Sequence, residues 1–235
     1  MPGGYAALLN RAARFFPILR ELRSELPTGG VVLEVGSGSL GLGEFWPGIF
    51  VGCDVAFSSR PAKNMRAVQC SGHQLPFRDG AFDAVVVSDV MEHVPPVLRK
   101  QVVAEVLRVA RNVVVFGYPC GRASFELDRE LYRDYQYRNL SPPVWLEEHM
   151  LHPFPEEDLL AGPLAGWKSR VFPNETLQFH LWMMRREMFR WWDRSFRLAL
   201  RIMPRLVERA LQRVNREPSY RKIFVLTRES EEARA

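Results

Sequence analysis

The run Val31-Val32-Leu33-Glu34-Val35 stops at Gly36-Ser37-Gly38-Ser39-Leu40-Gly41, and this junction constrains the fold more than any other part of the 235-residue chain. A short β-branched run ended by glycine reads as a strand buried on both faces, as the strands of parallel sheets are. Gly36, Gly38 and Gly41 then form a GxGxxG, where the missing Cβ atoms let backbone approach a ligand closely. Several nucleotide-binding folds share that pattern. Asp54 narrows it, because it closes the next apolar run, Ile49 to Cys53, at the place where a carboxylate can accept both hydroxyls of a ribose. Together the turn and the acid specify an adenosine-type ligand.

Further apolar runs follow. Arg66 to Cys70, Phe82 to Ser88, Val113 to Gly117, Lys168 to Phe172 and Lys222 to Thr227 read as strands, and Tyr5 to Leu26 and Pro96 to Ala110 carry helical spacing. Strands separated by helices or compact connections predict an α/β fold with a Rossmann-like, doubly wound, mostly parallel sheet and an antiparallel edge strand, plus a helical insert. The ligand crevice of such a sheet lies at the carboxyl ends of its strands. From Tyr118 to about Met150 the period is lost and tyrosine, proline and charge accumulate, which reads as an insert over that crevice. The expected organisation is an N-terminal helix over 1–29, a cofactor-binding core over 30–117, a lid-like insert over 118–154, and a C-terminal part of the sheet over 155–235 with a basic helical arm at about 176–216.

Pro47 discriminates among adenosine ligands. A dinucleotide pyrophosphate favours a well-formed helix N-terminus behind the glycine turn, but Trp46-Pro47-Gly48 follows so closely that any helix there is cut to about one turn. No Walker sequence follows the glycines either. A cofactor without phosphate fits more easily, and a nicotinamide-dependent oxidoreductase remains the alternative enzyme class.

Val32-Leu33-Glu34-Val35-Gly36-Ser37-Gly38 resembles the first motif of class I S-adenosylmethionine-dependent methyltransferases. Gln74 to Val85, reading QLPFRDGAFDAV, is similar to the LPF…D…FD segment of the branch called the methyltransferase 11 type, and Asp89-Val90-Met91-Glu92-His93-Val94 to its motif after the fourth strand. The resemblance spans about Val31 to Gly117. It implies that S-adenosylmethionine is held by Glu34 and the turn of Gly36, Ser37, Gly38 and Gly41, that Asp54 meets the ribose hydroxyls, and that Val55 packs beside the adenine. It further implies that Ser88 and Asp89 face the methionine end. Where the family usually has an acidic residue for the adenine amino group, this chain has Ser71, leaving Gly72 and His73 to meet the adenine edge by backbone or imidazole.

Methyl transfer relies largely on alignment and desolvation, so the resemblance brings no universal catalytic residue. His93, after the fourth strand, is the best single base candidate, beside a bland reading in which it caps the next helix. His149, His152 and His180 are weaker candidates. Glu92, His93, Glu147, Glu148, His149 and His152 lack an established ligand spacing, so no metal is expected. Tyr118, Tyr132, Tyr135, Tyr137 and Trp145 are candidates to line an acceptor pocket, and Arg122, Arg129, Arg133 and Arg138 to meet an anionic group on the acceptor. The acceptor is read as a small or lipid-linked molecule.

Three cysteines without CxxC spacing suggest neither a disulfide framework nor a zinc knot, which fits a reducing cytoplasm. No apolar stretch reaches the roughly 18 to 20 residues needed to span a bilayer, so any membrane contact is peripheral. The formal charge of +5 is concentrated in the arm, where Arg186, Arg190, Arg194, Arg197, Arg201, Arg205, Arg209 and Arg213 recur at helical spacing among Trp182, Met184, Met188, Trp191, Trp192, Phe196, Leu198 and Ile202. The readings are a solvated helix face, an anionic membrane surface, and, least favoured, nucleic acid, for which no accompanying motif exists. A non-catalytic membrane or partner-binding module that keeps the fold is the third functional alternative.

Overall fold

A computed structural model describes residues 8–26, 29–161, 164, 166–187 and 190–229, with backbone only at 161 and 190–193. Tyr5 at the start of the expected first helix, and Met188, lie outside the described residues, as do the side chains of Arg190, Trp191 and Trp192. Seven strands form one sheet: β1 (Val32–Val35), β2 (Phe50–Asp54), β3 (Met65–Gln69), β4 (Phe82–Ser88), β5 (Ala110–Pro119), β6 (Trp167–Thr176) and β7 (Ser219–Arg228). Their order is β3-β2-β1-β4-β5-β7-β6. β1 to β5 pair in parallel, while β7 runs antiparallel to both β5 and β6. The mostly parallel sheet with an antiparallel edge is therefore present, with its reversed strand inserted just inside the outermost one.

Alternation along the strands divides the core in two. Leu33, Val35, Val85, Val87, Val114 and Phe116 face α2 (Pro96–Val109), which returns Val102, Val103 and Val106. Val32, Ala84, Val86, Val113 and Val115 face α1 (Leu8–Glu25), which returns Phe15, Ile18, Leu19 and Leu22. The β1–β2 connection holds only a four-residue 3-10 turn, Gly41–Glu44, consistent with Pro47 three residues beyond it.

Beyond β5 the chain builds a helical layer. α3 (Gly121–Tyr137) and α4 (Val144–His149) follow directly, α5 (Asp158–Ala161) precedes β6, and α6 (Leu177–Glu187), α7 (Arg190–Ile202) and α8 (Pro204–Arg213) lie between β6 and β7. Leu9, Ala12 and Ala13 of α1 pack with Leu131, Leu146, Met183, Met184 and Leu211 in a third core. One expectation is corrected here. The supposedly aperiodic stretch from Tyr118 contains the 17-residue helix α3; two of its buried positions, Ser124 and Asp128, are polar, and its apolar side is carried by Leu131 with half-buried Tyr132 and Tyr135. Pro204 breaks the arginine arm: α7 ends at Ile202, Met203 leaves helical geometry, and Pro204 starts a separate helix, so the arginines are divided between two helices.

Candidate functional site

Gly36 and Ser37 donate backbone hydrogen bonds to the Cys53 carbonyl, at 2.8 and 3.1 Å, which fastens the glycine turn to the end of β2. Gly38 N–H donates to Asp54 Oδ2 at 2.7 Å, so the acid and the turn meet across the mouth of the crevice. Gly36 has φ +73°, and a Cβ there would stand 2.1 Å from Val90 Cγ2. Gly38 has φ +52°, yet no atom lies within 4 Å of where its Cβ would be. The first glycine is required by the protein's own packing, whereas the second faces open space.

Two cavities meet at this turn. The larger, about 500 Å³, is lined by Gly36, Asp54, Val55, Ser71, Gly72 and His73 on one side and by Asp89, His93 and Leu98 on the other. The smaller, about 290 Å³, shares Gly36, Asp54, Asp89 and His93 and continues along Ser37, Gly38, Arg14, Glu92, His149, His180, Met184, Tyr220 and Arg221. Of the residues expected at a cofactor, Gly36, Ser37, Gly38, Asp54, Val55, Ser71, Gly72, His73 and Asp89 are thus brought together. Ser71 Oγ and His73 Nδ1 are 2.7 Å apart, so these two side chains form one polar edge of the larger cavity.

Glu34, Gly41 and Ser88 stand apart from that set. Glu34 Oε2 accepts the Leu42 N–H at 2.7 Å beneath the turn, and a Cβ on Gly41 would collide with that carboxylate at 2.0 Å. Burial pushes the Glu34 carboxyl up to about 8, against the lowering effect of the Leu42 N–H. The Glu34 side chain supports the turn and lines neither cavity. Ser88 is buried at the end of β4 with no partner for its Oγ.

Asp89 has φ +51°, uncommon for a residue with a side chain. A charge network locks it there. Arg221 Nε and Nη2 donate to the two Asp89 oxygens at 2.6 and 2.8 Å, and Arg14 Nη1 donates at 3.1 Å. Arg221 Nη1 also donates to Glu175 Oε1 at 2.6 Å, and Glu175 Oε2 lies 2.8 Å from His180 Nδ1. Burial alone would raise the Asp89 carboxyl, but the Arg221 and Arg14 guanidiniums outweigh it and hold it below its ordinary range. Burial likewise opposes the charge on Glu175, and Arg221 and His180 prevail.

His93 lines both cavities. Burial, reinforced by His149, lowers it to about 4, so it is a neutral imidazole at physiological pH. Glu92, His93 and His149, whose spacing in the sequence matches no established ligand pattern, come together in space: α4 carries His149 back over the crevice, and their ligand-type atoms come within 4.8 Å of one another. Fifty-six residues separate the two histidines, a distance no ligand spacing covers.

Of the candidate aromatic residues for an acceptor pocket, one reaches a cavity and the others do not. Trp145 lines the smaller cavity, but Tyr118 is fully buried and stacked on Phe224, Tyr137 is exposed, and Tyr132 and Tyr135 pack in the third core. The cavity's cations are Arg14 and Arg221, in place of Arg122, Arg129, Arg133 and Arg138. Neither Arg14 on α1 nor Arg221 on β7 belongs to a motif, so only tertiary structure identifies them. His149 and His180 reach the smaller cavity; His152 does not.

Residues 33–116 match the family model described as a methyltransferase domain. A search of the curated proteins finds no match. Among solved structures, the PH0226 protein from Pyrococcus horikoshii OT3 is 16% identical over 94% of this chain and 90% of that one, with a TM-score of 0.50. The methyltransferase domain of bacterial CtHen1-CN is 14% identical over 93% of this chain and 99% of that one, with a TM-score of 0.51. At such identities the likeness establishes the fold.

Proposed function

We propose that this chain, whose residues 33–116 match a methyltransferase-domain model, is a class I methyltransferase that binds S-adenosylmethionine along the two joined cavities and methylates a small or lipid-linked acceptor in the smaller one. The observation that carries this reading is the open space at Gly38 directly opposite Asp54: a positive-φ glycine with nothing within 4 Å of its Cβ position, hydrogen-bonded to a carboxylate that itself lines both cavities. Asp54 would exchange its bond to Gly38 for the ribose hydroxyls, Val55 and Leu98 would flank the adenine, and Ser71 and His73 would meet its polar edge. Arg14, whose Nε is buried without a partner, is placed to meet the carboxylate of the methionine end. Bound there, S-adenosylmethionine supplies an electrophilic methyl group. The chain orients the acceptor and excludes water, and neutral His93 serves as a proton acceptor at the junction of the cavities.

Calorimetric titration with S-adenosylhomocysteine tests this reading. Micromolar or tighter binding is expected for the wild type, with Asp54→Ala weakening it by at least about 1.4 kcal/mol, a factor of ten. Absence of binding by a folded wild-type protein overturns the proposal; preferential binding of a nicotinamide dinucleotide would restore the oxidoreductase alternative.

A peripheral membrane role for the arm is part of the proposal. No described helix is long and apolar enough to cross a membrane. The observation in favour is an exposed apolar ridge, Leu198, Ile202 and Leu206, at 59%, 65% and 58% exposure, running beside the exposed Arg194, Arg201, Arg205 and Arg209.

A further inference from the structure

Glu92 presents a problem that the methyl-transfer reading leaves unsolved. Its side chain is 1% exposed, and neither carboxylate oxygen has a hydrogen-bond partner. An uncompensated carboxylate in such a place is costly. Beside it, two imidazoles face each other with His93 Nε2 and His149 Nε2 3.3 Å apart. His149 is oriented from its far side by an acid: its Nδ1 lies 2.6 Å from Asp128 Oδ2, which also accepts the Tyr220 hydroxyl at 2.8 Å. That contact puts the His149 proton on Nδ1 and turns its Nε2 lone pair toward His93 Nε2 and Glu92. Glu148 Oε2 lies 2.9 Å from His93 Nδ1 but makes no hydrogen bond to it.

We propose that Glu92, His93 and His149 bind a divalent first-row transition cation at the inner wall of the smaller cavity. The three candidate ligand atoms are separated by 3.3 Å (His93 to His149), 3.9 Å (His149 to Glu92 Oε1) and 4.0 Å (His93 to Glu92 Oε1). Three points with those separations lie on a circle of radius about 2.2 Å, at the upper end of nitrogen and oxygen bonds to zinc. Asp128 supplies behind His149 the carboxylate that fixes the tautomer at metal sites. Asp89 is not a fourth ligand, because both its oxygens are held by arginines. A proton shared between the two imidazoles would satisfy their lone pairs but would leave Glu92 without a donor; a cation satisfies all three groups. Two imidazoles and one carboxylate favour zinc, cobalt(II), iron(II) or manganese(II) over magnesium or calcium.

Three protein ligands leave positions open toward the cavity, as metal sites that act on substrate do. An oxygen of the acceptor is the chemistry that fits there: with His93 Nε2 engaged as a ligand, the cation takes over the imidazole's part by favouring loss of the acceptor's proton. That last step rests on the proposed methyl transfer; binding of the ion does not.

The test uses the full chain, stripped with a chelator and titrated calorimetrically with Co²⁺ and with Zn²⁺, with Mg²⁺ as the hard-cation control. One equivalent of Co²⁺ or Zn²⁺ is expected. Asp128→Asn should weaken it by about 10 to 100-fold, as changes behind a ligand do, and His149→Gln or Glu92→Gln by more than about 100-fold. Circular dichroism of the same samples reports whether the fold survives, and S-adenosylhomocysteine titration of the wild type separates failure of the metal site from failure of the methyl-donor reading. Should His149→Gln unfold the protein, His93→Gln, at a half-buried position, carries the same comparison. Substoichiometric binding by the wild type, wild-type affinity in a folded ligand variant, or equal binding of Mg²⁺ would each overturn the proposal.

Discussion

Gly36 and Gly38 share a left-handed backbone yet differ in what a side chain would meet. Gly36→Ala drives a methyl group into Val90 Cγ2, so it combines backbone strain of about 1–2 kcal/mol with overpacking of about 1–3 kcal/mol, and should lower the melting temperature markedly. Gly38→Ala meets no protein atom and carries the backbone strain alone, but its methyl group occupies the proposed ligand space. Thermal unfolding and S-adenosylhomocysteine titration should therefore rank the two variants in opposite order: Gly36→Ala worse in stability, Gly38→Ala at least as poor in binding for its smaller loss of stability. Glu34 adds a pH test. Its folded-state pKa of about 8 lies above the ordinary 4.5, so the folded protein binds more protons than the unfolded chain across that window, and stability falls as pH rises through it. Glu34→Gln keeps an oxygen for the Leu42 N–H and removes the titration. Near pH 8 it should be more stable than wild type by about 1 kcal/mol or more, an advantage that vanishes near pH 4; equal pH profiles in denaturant unfolding would refute it. His93 acts in the other direction. Its value of about 4, below the ordinary 6.5, makes stability fall as pH drops through that interval, since the unfolded chain then binds the extra proton.

At the scale of elements, the network that fixes Asp89 ties α1, β6, α6 and β7 to the end of β4 through Arg14, Glu175, His180 and Arg221. Arg221→Met leaves half-buried Asp89 with Arg14 alone and buried Glu175 with His180 alone, a loss of the kind that costs about 3–5 kcal/mol; urea unfolding should show that loss, and a change below about 1 kcal/mol would mean the network is dispensable. Such a network also explains what could be read in advance. Phe82 to Ser88 falls on β4 residue for residue, and the remaining sheet strands fall within a few residues of their expected positions, because β-branched runs and their glycine stops are local signals. α3 was hidden because its inward positions are chosen for bonding: Ser124 Oγ donates to the Tyr220 carbonyl at 2.7 Å, and Asp128 serves both His149 and Tyr220. That Gly36, Asp54 and Ser71 to His73 line one cavity was legible for the same reason as the strands, since they follow strand ends in order. Arg14, His149, Tyr220 and Arg221 come from elements scattered across the chain, and only the fold assembles them.

At the scale of the whole molecule, α6 joins the chemistry to the surface. Its His180 and Met184 line the smaller cavity, and the chain then passes into α7 and α8, whose Leu198, Ile202 and Leu206 point away from the core while Phe196 and Val207 pack toward it. Outward apolar side chains on both α7 and α8, besides the inward Phe196 and Val207, are more than a solvated arm needs, and the exposed arginines of the two helices match the phosphates of an anionic bilayer. Docking through α7 and α8 would suit a lipid-linked acceptor better than a freely diffusing one. Flotation with vesicles containing phosphatidylserine should recover the wild-type protein, and recovery should fall as salt rises, with basic residues near the surface worth about 1 kcal/mol each. Arg201→Glu combined with Arg205→Glu should then reduce partitioning by about 100-fold or more at low salt, whereas Ile202→Ser combined with Leu206→Ser should weaken binding to neutral and anionic vesicles alike. Both pairs lie on exposed positions, so S-adenosylhomocysteine affinity should not change. If wild type and charge-reversed protein float equally, the ridge is a solvated face and the acceptor must reach the cavity from water.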